Sequence, residues 1–278
     1  MITGAGGQLG QKLIGAARAL PDSIRIFAYN RSSLDITKPE DLRAAFAEAQ
    51  PDICLNAAAY TAVDRAEAEP EKARLVNVEG VQRLAAACYE KSIGFVHFST
   101  DYVYDDGYNR PLREGDRTLG TSVYARTKLE GENMVLRHHP DAYILRTSWV
   151  YAEYGANFLR TMVRLGTERD SLGIVSDQIG TPTYAADLAA ATFRLLQAKA
   201  PAGIYNYANS GAASWYDFAH YIFELQNIDC ELRPIRTEQY PTPAKRPTYS
   251  VLDTRKVSEF VGIPRNWREG VKECCEKL

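Results

Sequence analysis

The chain has 278 residues, enough for one two-lobed unit or two small domains, and its apolar and charged fractions of 45% and 24% are those of a globular protein. Lys and Arg total 33 against 35 Asp and Glu, and the resulting net charge of -2 excludes whole-protein attraction to nucleic acid or to an anionic membrane surface. Any phosphate-bearing ligand must therefore be held by local groups.

No apolar run approaches membrane-spanning length, and no charged and apolar leader opens the chain. The five cysteines are scattered and odd in number, and the adjacent Cys274 and Cys275 are poorly placed to bridge to each other. They read as reduced thiols, so a cytoplasmic protein with neither membrane nor nucleic-acid partners is expected. Met1-Ile2-Thr3 is too short for a full strand before a glycine cluster: either the first strand is a stump or residues precede it.

Thr3-Gly4-Ala5-Gly6-Gly7-Gln8-Leu9-Gly10 leads into the helical periodicity of Leu9, Leu13, Ile14 and Ala17. Glycines at 4, 7 and 10 suit a tight turn, close approach of backbone to a pyrophosphate, and close helix packing, with the helix N-terminus facing the anion. Ile24 to Tyr29 reads as the second strand. The residue after such a strand speaks to cofactor choice, since an acid there receives the ribose 2′-hydroxyl of NAD; Asn30-Arg31 stands in its place. Thr37-Lys38-Pro39-Glu40 predicts a capping box and a helix through about Ala49.

Asp52 to Ala57 predicts a buried third strand, whose small-residue exit, Ala57-Ala58-Ala59-Tyr60-Thr61, would let a flat ring lie against the backbone. Pro70 to Lys91 predicts one long helix with Leu75, Val78, Val81, Leu84 and Ala85 on its apolar face. Phe95 to Tyr102 is a fourth strand carrying Ser99-Thr100-Asp101 at its carboxyl end, where open α/β sheets bind ligands; His97 within it reads as a packed core side chain.

Ser122 to Glu132 places Tyr124 and Lys128 four residues apart, on one face of a helix. A phenol titrates far above neutrality, and a neighbouring ammonium lowers its pKa by favouring the phenolate, so the pair reads as a tuned general acid/base. With 17 tyrosines in the chain, one such spacing is an ordinary coincidence; the surrounding stretches give it weight. Tyr143 to Tyr151 is a fifth strand and its exit. Beyond it the pattern is less regular: a helix to about Glu168, a strand near 172–176, a helix over 185–199, a short strand at 204–207, a helix over 215–225, a proline-rich segment over 240–247 and two short helices. The alternation predicts an α/β fold, a Rossmann-like doubly wound parallel sheet with a smaller, less regular substrate lobe. Residues 1–150 are expected to bind the dinucleotide and 151–278 mainly the substrate, with segments near 172–207 returning to the sheet.

The glycine loop, Ser99-Thr100-Asp101-Tyr102, Tyr124-x-x-x-Lys128 and Arg146-Thr147-Ser148-Trp149-Val150-Tyr151 together resemble the extended short-chain dehydrogenase/reductase superfamily, and within it the dTDP-4-dehydrorhamnose reductase family. The resemblance extends through Ser176 to Thr183 and the late Tyr-Pro-Thr-Pro-Ala-Lys-Arg-Pro segment. It implies NAD(P)H-dependent reduction of the C4 ketone of a nucleotide sugar by a monomer or homodimer. Tyr124 would protonate the C4 oxygen, Lys128 would bind the nicotinamide ribose, and Thr100 would hydrogen-bond the reacting oxygen. By the same resemblance Asp101 and Trp149 would line the sugar site. Gly7, Gln8 and Leu9 would meet the pyrophosphate, Asp35 and Ile36 the adenine, Ala59, Tyr60 and Thr61 the back of the dinucleotide, and Phe98 the nicotinamide.

Asn30, standing where some members have aspartate, points to NADPH with NADH possible. Some members dimerise through magnesium held by glutamates; Lys12, Ala186 and Arg268 fall at those places, so no metal is expected. An epimerase or 4,6-dehydratase is a close rival, although dehydratases follow the threonine with Asp-Glu and here Asp101 is followed by Tyr102. A non-catalytic subunit resembling the methionine adenosyltransferase β subunit is the rival of another class. Arg246 is a candidate for the substrate diphosphate because Pro241, Pro243 and Pro247 stiffen its segment; Asn157 and Gln178 are candidates for further polar contacts.

Overall fold

The computed structural model describes residues 1–20 and 24–278. Its first half alternates β1 (Ile2–Thr3), α1 (Gln8–Arg18), β2 (Ala28–Tyr29), α2 (Pro39–Ala49) and β3 (Ile53–Asn56). Then come α3 (Val63–Ala68), α4 (Pro70–Arg74), a π-helical turn at Leu75–Gly80, α5 (Val81–Glu90), β4 (Gly94–Thr100), α6 (Val123–His138) and β5 (Tyr143–Thr147). The second half contains β6 (Val150–Tyr151), α7 (Phe158–Glu168), β7 (Ser171–Val175), β8 (Ile179–Gly180), β9 (Thr183–Tyr184), α8 (Ala185–Gln197) and β10 (Gly203–Asn206). It ends with β11 (Ala213–Ser214), α9 (Trp215–Gln226), β12 (Glu231–Ile235), α10 (Arg255–Val261) and α11 (Trp267–Cys275).

Six strands form one parallel sheet in the order β10-β5-β4-β3-β1-β2. The chain steps one way from β1 to β2 and the other way from β3 through β4 and β5, so the loops after β1 and β3 part and leave a crevice at their carboxyl ends. One face of the sheet is covered by an apolar cluster that includes Leu42, Phe46, Val81, Leu84 and Val135, from α2, α5 and α6. The other face is covered by Leu13, Leu188, Leu195 and Val257, from α1, α8 and α10. Burial on both faces explains why β3 and β4 read as nearly continuous apolar runs.

Three two-stranded sheets, β6 with β9, β7 with β12 and β8 with β11, sit beyond the carboxyl end of β5. With α7, α9 and α11 they enclose a separate core around Tyr151, Leu159, Phe218, Ile222 and Trp267. β10 is a strand of the large sheet and α8 packs on its face, while β7 pairs with β12, a strand not anticipated from the pattern.

Three local readings change. The second strand is only Ala28–Tyr29, because β1 offers just Ile2 and Thr3 as partners. Thr37 does not cap α2: its hydroxyl goes to Asp35 at 2.7 Å, and Lys38 at the N-cap makes no side-chain capping bond. The expected long helix over 70–91 contains the π-helical turn, which leaves Leu75 39% exposed and off the apolar face.

Candidate active site

The crevice is a cleft of about 920 Å³. At one end Gly4 has φ +67°, and a Cβ there would stand 2.5 Å from the Ala57 carbonyl carbon; a Cβ on Gly10 would stand 2.2 Å from Gly4 O. The first turn of α1 has no side-chain cap and no acid. Backbone and the positive end of the helix dipole therefore face the cleft with nothing between them and an anion.

Gly7, Gln8, Leu9, Asn30, Arg31, Asp35 and Ile36 line this end. Asn30 Oδ1 accepts from Ser32 N at 2.9 Å and so shapes its own turn, leaving Arg31 exposed at the rim. Asp35 Oδ1 is held by Thr37, and that bond, with Arg31 nearby, offsets the effect of burial and keeps its carboxyl below the usual range. Ala59, Tyr60 and Thr61 form the back wall. Their loop is pinned by Asn77, whose Oδ1 accepts from Tyr60 N at 2.8 Å and whose amide donates to Tyr60 O at 3.1 Å. The π-helical turn sets Asn77 there, with its carbonyl so close to Gly131 that a Cβ on α6 would fall 2.2 Å away. An asparagine inside an otherwise core-facing stretch was the one sequence signal for this residue.

Phe98, Thr100, Asp101, Tyr124, Lys128 and Trp149 line the other end. Ser122 caps α6 by accepting from Ala125 N at 3.2 Å, which starts the helix so that Tyr124 and Lys128 share its inward face. The Thr100 hydroxyl donates to Asp101 Oδ1 at 3.0 Å. Among the described residues, Asp101 Oδ2, Ser99 Oγ and Thr147 Oγ1 are buried without a hydrogen-bond partner. Three orphaned polar atoms on the cleft wall suit a polar ligand. Burial raises the Asp101 carboxyl to about 7.

The expected depression of the tyrosine pKa is reversed. Burial pushes Tyr124 up to about 12, with the Thr100 hydroxyl opposing it. Lys128 does not hydrogen-bond the phenol; Nζ donates to Phe98 O at 2.6 Å, and burial lowers the ammonium to about 8 against the pull of Glu132. Tyr102 meets the Tyr124 ring edge-on at 5.7 Å.

Trp149 has a left-handed backbone, φ +45°, with its indole against Gly180, where a Cβ would fall 2.6 Å away. Trp215, also on the cleft wall, stacks on Trp149 at 3.5 Å and 7°. Sequence reasoning missed Trp215, which reaches the site only through tertiary packing of α9.

Asn157, Gln178 and Arg246 are not on the wall. Asn157 caps α7 and donates to Gln8 Oε1 at 2.8 Å. Gln178 accepts from Trp215 Nε1 at 3.1 Å and donates to Thr237, so it supports the stacked tryptophans from behind. Arg246 is held by Asp64. Lys12, which by the resemblance stands at one of the places where some members hold a shared metal, pairs with Glu153 at 2.5 Å. No group of three or more His, Cys, Asp or Glu is placed to hold a metal among the described residues.

Residues 1–278 match the family described as RmlD substrate binding domain. The chain belongs to this family. It is 42% identical over 287 aligned residues to a dTDP-4-dehydrorhamnose reductase of Aggregatibacter actinomycetemcomitans, covering 98% of this chain and 96% of that one. The crystal structure of a dTDP-4-dehydrorhamnose reductase from Clostridium acetobutylicum superimposes with a TM-score of 0.95 at 40% identity, covering 100% and 98% of the two chains. That of the Bacillus anthracis dTDP-4-dehydrorhamnose reductase, a complex with NADP, gives 0.93 at 35% identity with the same coverage. Among the described residues no helix is long and apolar enough to cross a membrane.

Proposed function

We propose that this chain reduces the C4 ketone of dTDP-4-dehydro-6-deoxy-L-mannose to dTDP-L-rhamnose, using NADPH in preference to NADH. The observation that carries the reading is the convergence of Thr100, Tyr124 and Lys128 at one end of a cleft whose other end is a side-chain-free glycine cradle. Relatives that share the whole chain length bear the name of this activity, and one of them was crystallised with NADP.

The residues present fit a dinucleotide. The cradle has room for a pyrophosphate where any Cβ would collide with backbone, and Gly7, Gln8 and Leu9 would hold it. Asp35 and Ile36 would meet the adenine, Arg31 the 2′-phosphate, Ala59 to Thr61 the back of the cofactor and Phe98 the nicotinamide. When bound, the reduced cofactor supplies the hydride.

The protein's own part is the proton. A phenol raised to about 12 is fully protonated at neutral pH, so Tyr124 acts as the acid toward the ketone oxygen as negative charge develops there. The hydroxyl of Thr100 orients that oxygen, and Lys128 stabilises the phenolate left behind and binds the nicotinamide ribose. Asp101 and Trp149 hold the sugar, the carboxylate through a hydroxyl and the indole through its apolar face. Residues 1–150 serve the cofactor and 151–278 mainly the substrate, with β10 completing the large sheet and α8 packed on it, while β7 pairs with β12.

The test follows NADPH absorbance as purified protein meets the dTDP-4-keto sugar and other nucleotide sugars, with product identified by chromatography. Consumption of NADPH with formation of dTDP-L-rhamnose is expected; no oxidation with any 4-keto sugar nucleotide overturns the reading.

A further inference from the structure

Lys128 is 2% exposed on the inward face of α6, with Nζ donating to Phe98 O at 2.6 Å. A wholly buried lysine among neutral groups titrates at about 5 to 6 and is an amine at neutral pH. To stabilise the phenolate left on Tyr124 it must be an ammonium. A counter-charge stands one turn further along the helix. Glu132, 1% exposed, shares the inward face at a spacing that sets the two Cβ atoms about 5–6 Å apart.

Arg146 of β5 orients that carboxylate, with Nε at 3.0 and 3.2 Å from its two oxygens and Nη2 at 2.6 Å. The guanidinium lies 4.8 Å over the Tyr104 ring and donates to Glu114 O at 3.2 Å, so it approaches from the loop after β4, whereas Lys128 is turned toward β4 itself. As a pin between α6 and β5, an apolar pair of similar volume would serve as well or better. What it could not supply is a negative charge one turn from Lys128.

We propose that Glu132 is a positioning residue for the reaction: its carboxylate, oriented by Arg146, is the buried counter-charge that keeps Lys128 an ammonium beside Tyr124. The inference rests on the reading of Lys128 as the partner of Tyr124.

The groups packed around Lys128 leave this part to Glu132. β4 brings His97, whose Nε2 lies 3.3 Å from Nζ and which burial and the Lys128 charge keep neutral. The turn after β4 brings Asp101, raised to about 7 by burial, and Tyr102, whose phenol burial also raises. Glu67 of α3 accepts from Val123 N at 2.8 Å, and Arg74 of α4 pairs with Glu130 on the half-exposed side of α6. The π-helical turn presents the neutral Asn77, and α5 packs through apolar side chains and the Cys88 thiol. Tyr124, on the same helix face, is protonated. Burial lowers Lys128, and the charge that opposes it is that of Glu132.

The experiment reads the ligand-free full-length protein by NMR and the NADPH complex by kinetics. In 13C-lysine-labelled protein, Lys128 is assigned from the signal lost in Lys128→Met and is expected to be charged at pH 7. Its titration should move down by about one to two pH units in Glu132→Gln and stay near the wild-type value in Glu132→Asp, which keeps the charge. The alkaline limb of kcat/KM for the keto sugar at saturating NADPH should move the same way, so that activity lost in Glu132→Gln at pH 8 is largely recovered at pH 6. An equal loss at every pH with the titration unmoved, the result of a role confined to pinning α6, overturns the proposal. Glu132→Gln leaves Arg146 short of a counter-charge, whereas Glu132→Gln/Arg146→Met removes both charges and should show the same downward shift. An unmoved or raised titration there overturns the proposal as well. Where neither variant folds, the unsubstituted chain decides: Lys128 charged at pH 7 supports the proposal and Lys128 neutral overturns it. Wild-type turnover in Lys128→Met would instead overturn the catalytic reading while leaving the titrations as found.

Discussion

Arg246 places its two terminal guanidinium nitrogens on the two oxygens of Asp64, at 2.9 and 2.7 Å, tying the proline-rich segment before the last helices to the first turn of α3. The Ala244 N–H adds a third bond to the same carboxylate, at 3.2 Å. An arginine so engaged is a strap anchor at the cleft's edge, and a substrate diphosphate would have to compete with Asp64 for it. Arg246→Ala and Asp64→Ala should therefore both raise the substrate KM, with the cofactor KM unchanged. Because Asp64 is partly exposed, a double-mutant cycle should show coupling of only about 0.5–1 kcal/mol. A fall in KM for Asp64→Ala beside a rise for Arg246→Ala would instead put the arginine on the diphosphate.

Tyr124→Phe keeps the ring that packs edge-on to Tyr102 and removes only the proton donor. Turnover should drop by about two to four orders of magnitude with the fold and cofactor affinity intact. Circular dichroism and NADPH titration check the second half of that statement. Wild-type turnover in the folded variant would remove Tyr124 from the chemistry.

Gly10→Ala sets a methyl group 2.2 Å from Gly4 O and 2.8 Å from Ala5 Cα, both backbone atoms that cannot swing aside. The loop must shift, so NADPH affinity should fall by at least about tenfold and the melting temperature should drop by several degrees. Gly15→Ala, where nothing stands within 4 Å, is the control on the same helix and should gain slightly in helix stability.

The features legible in the sequence were those carried by short-range pattern. Gly4 takes a left-handed backbone at φ +67° and Gly10 leaves no room for a Cβ, so both demand glycine, and the spacing of Tyr124 and Lys128 fixes their shared helix face. What the spacing could not tell was where the amine points. Lys128 is turned toward Phe98 O and His97 by strand β4, so the phenol is raised by burial rather than lowered by the ammonium. Trp215 and Gln178 are another case: a helix start and a loop glutamine meet only through tertiary packing. The false capping box at Thr37 shows the same competition at short range, since Asp35 lies two residues away and takes the hydroxyl first.

Cofactor preference should depend on Arg31, which stands exposed beside an asparagine whose amide is already committed to its own turn. With no carboxylate at position 30 to repel it, a 2′-phosphate is tolerated and Arg31 supplies the charge. Arg31→Ala should raise the KM for NADPH about tenfold and leave that for NADH nearly unchanged. Equal losses for both would show that Arg31 does not read the phosphate.

Asp101 is 2% exposed, with one oxygen bound by Thr100 and the other without a partner among the described residues. Burial raises its carboxyl to about 7, so the folded chain binds this proton more tightly than the unfolded chain does. The sign follows: the contribution is fully present below the ordinary carboxylate range and is lost as pH rises through about 7, where the buried group must ionise. A shift of that size corresponds to on the order of 2–4 kcal/mol. Asp101→Asn keeps an acceptor for the Thr100 hydroxyl and cannot ionise. The variant should therefore be more stable than the wild type at pH 8, by about 4–10 °C in melting temperature for a chain of this size, and nearly equal to it at pH 4. Ligand-free thermal denaturation of both proteins at the two pH values makes the comparison, and the same stability difference at both would show that the buried charge is not its cause. Turnover should fall nonetheless, because the carboxylate that destabilises the empty cleft is the group a sugar hydroxyl would satisfy.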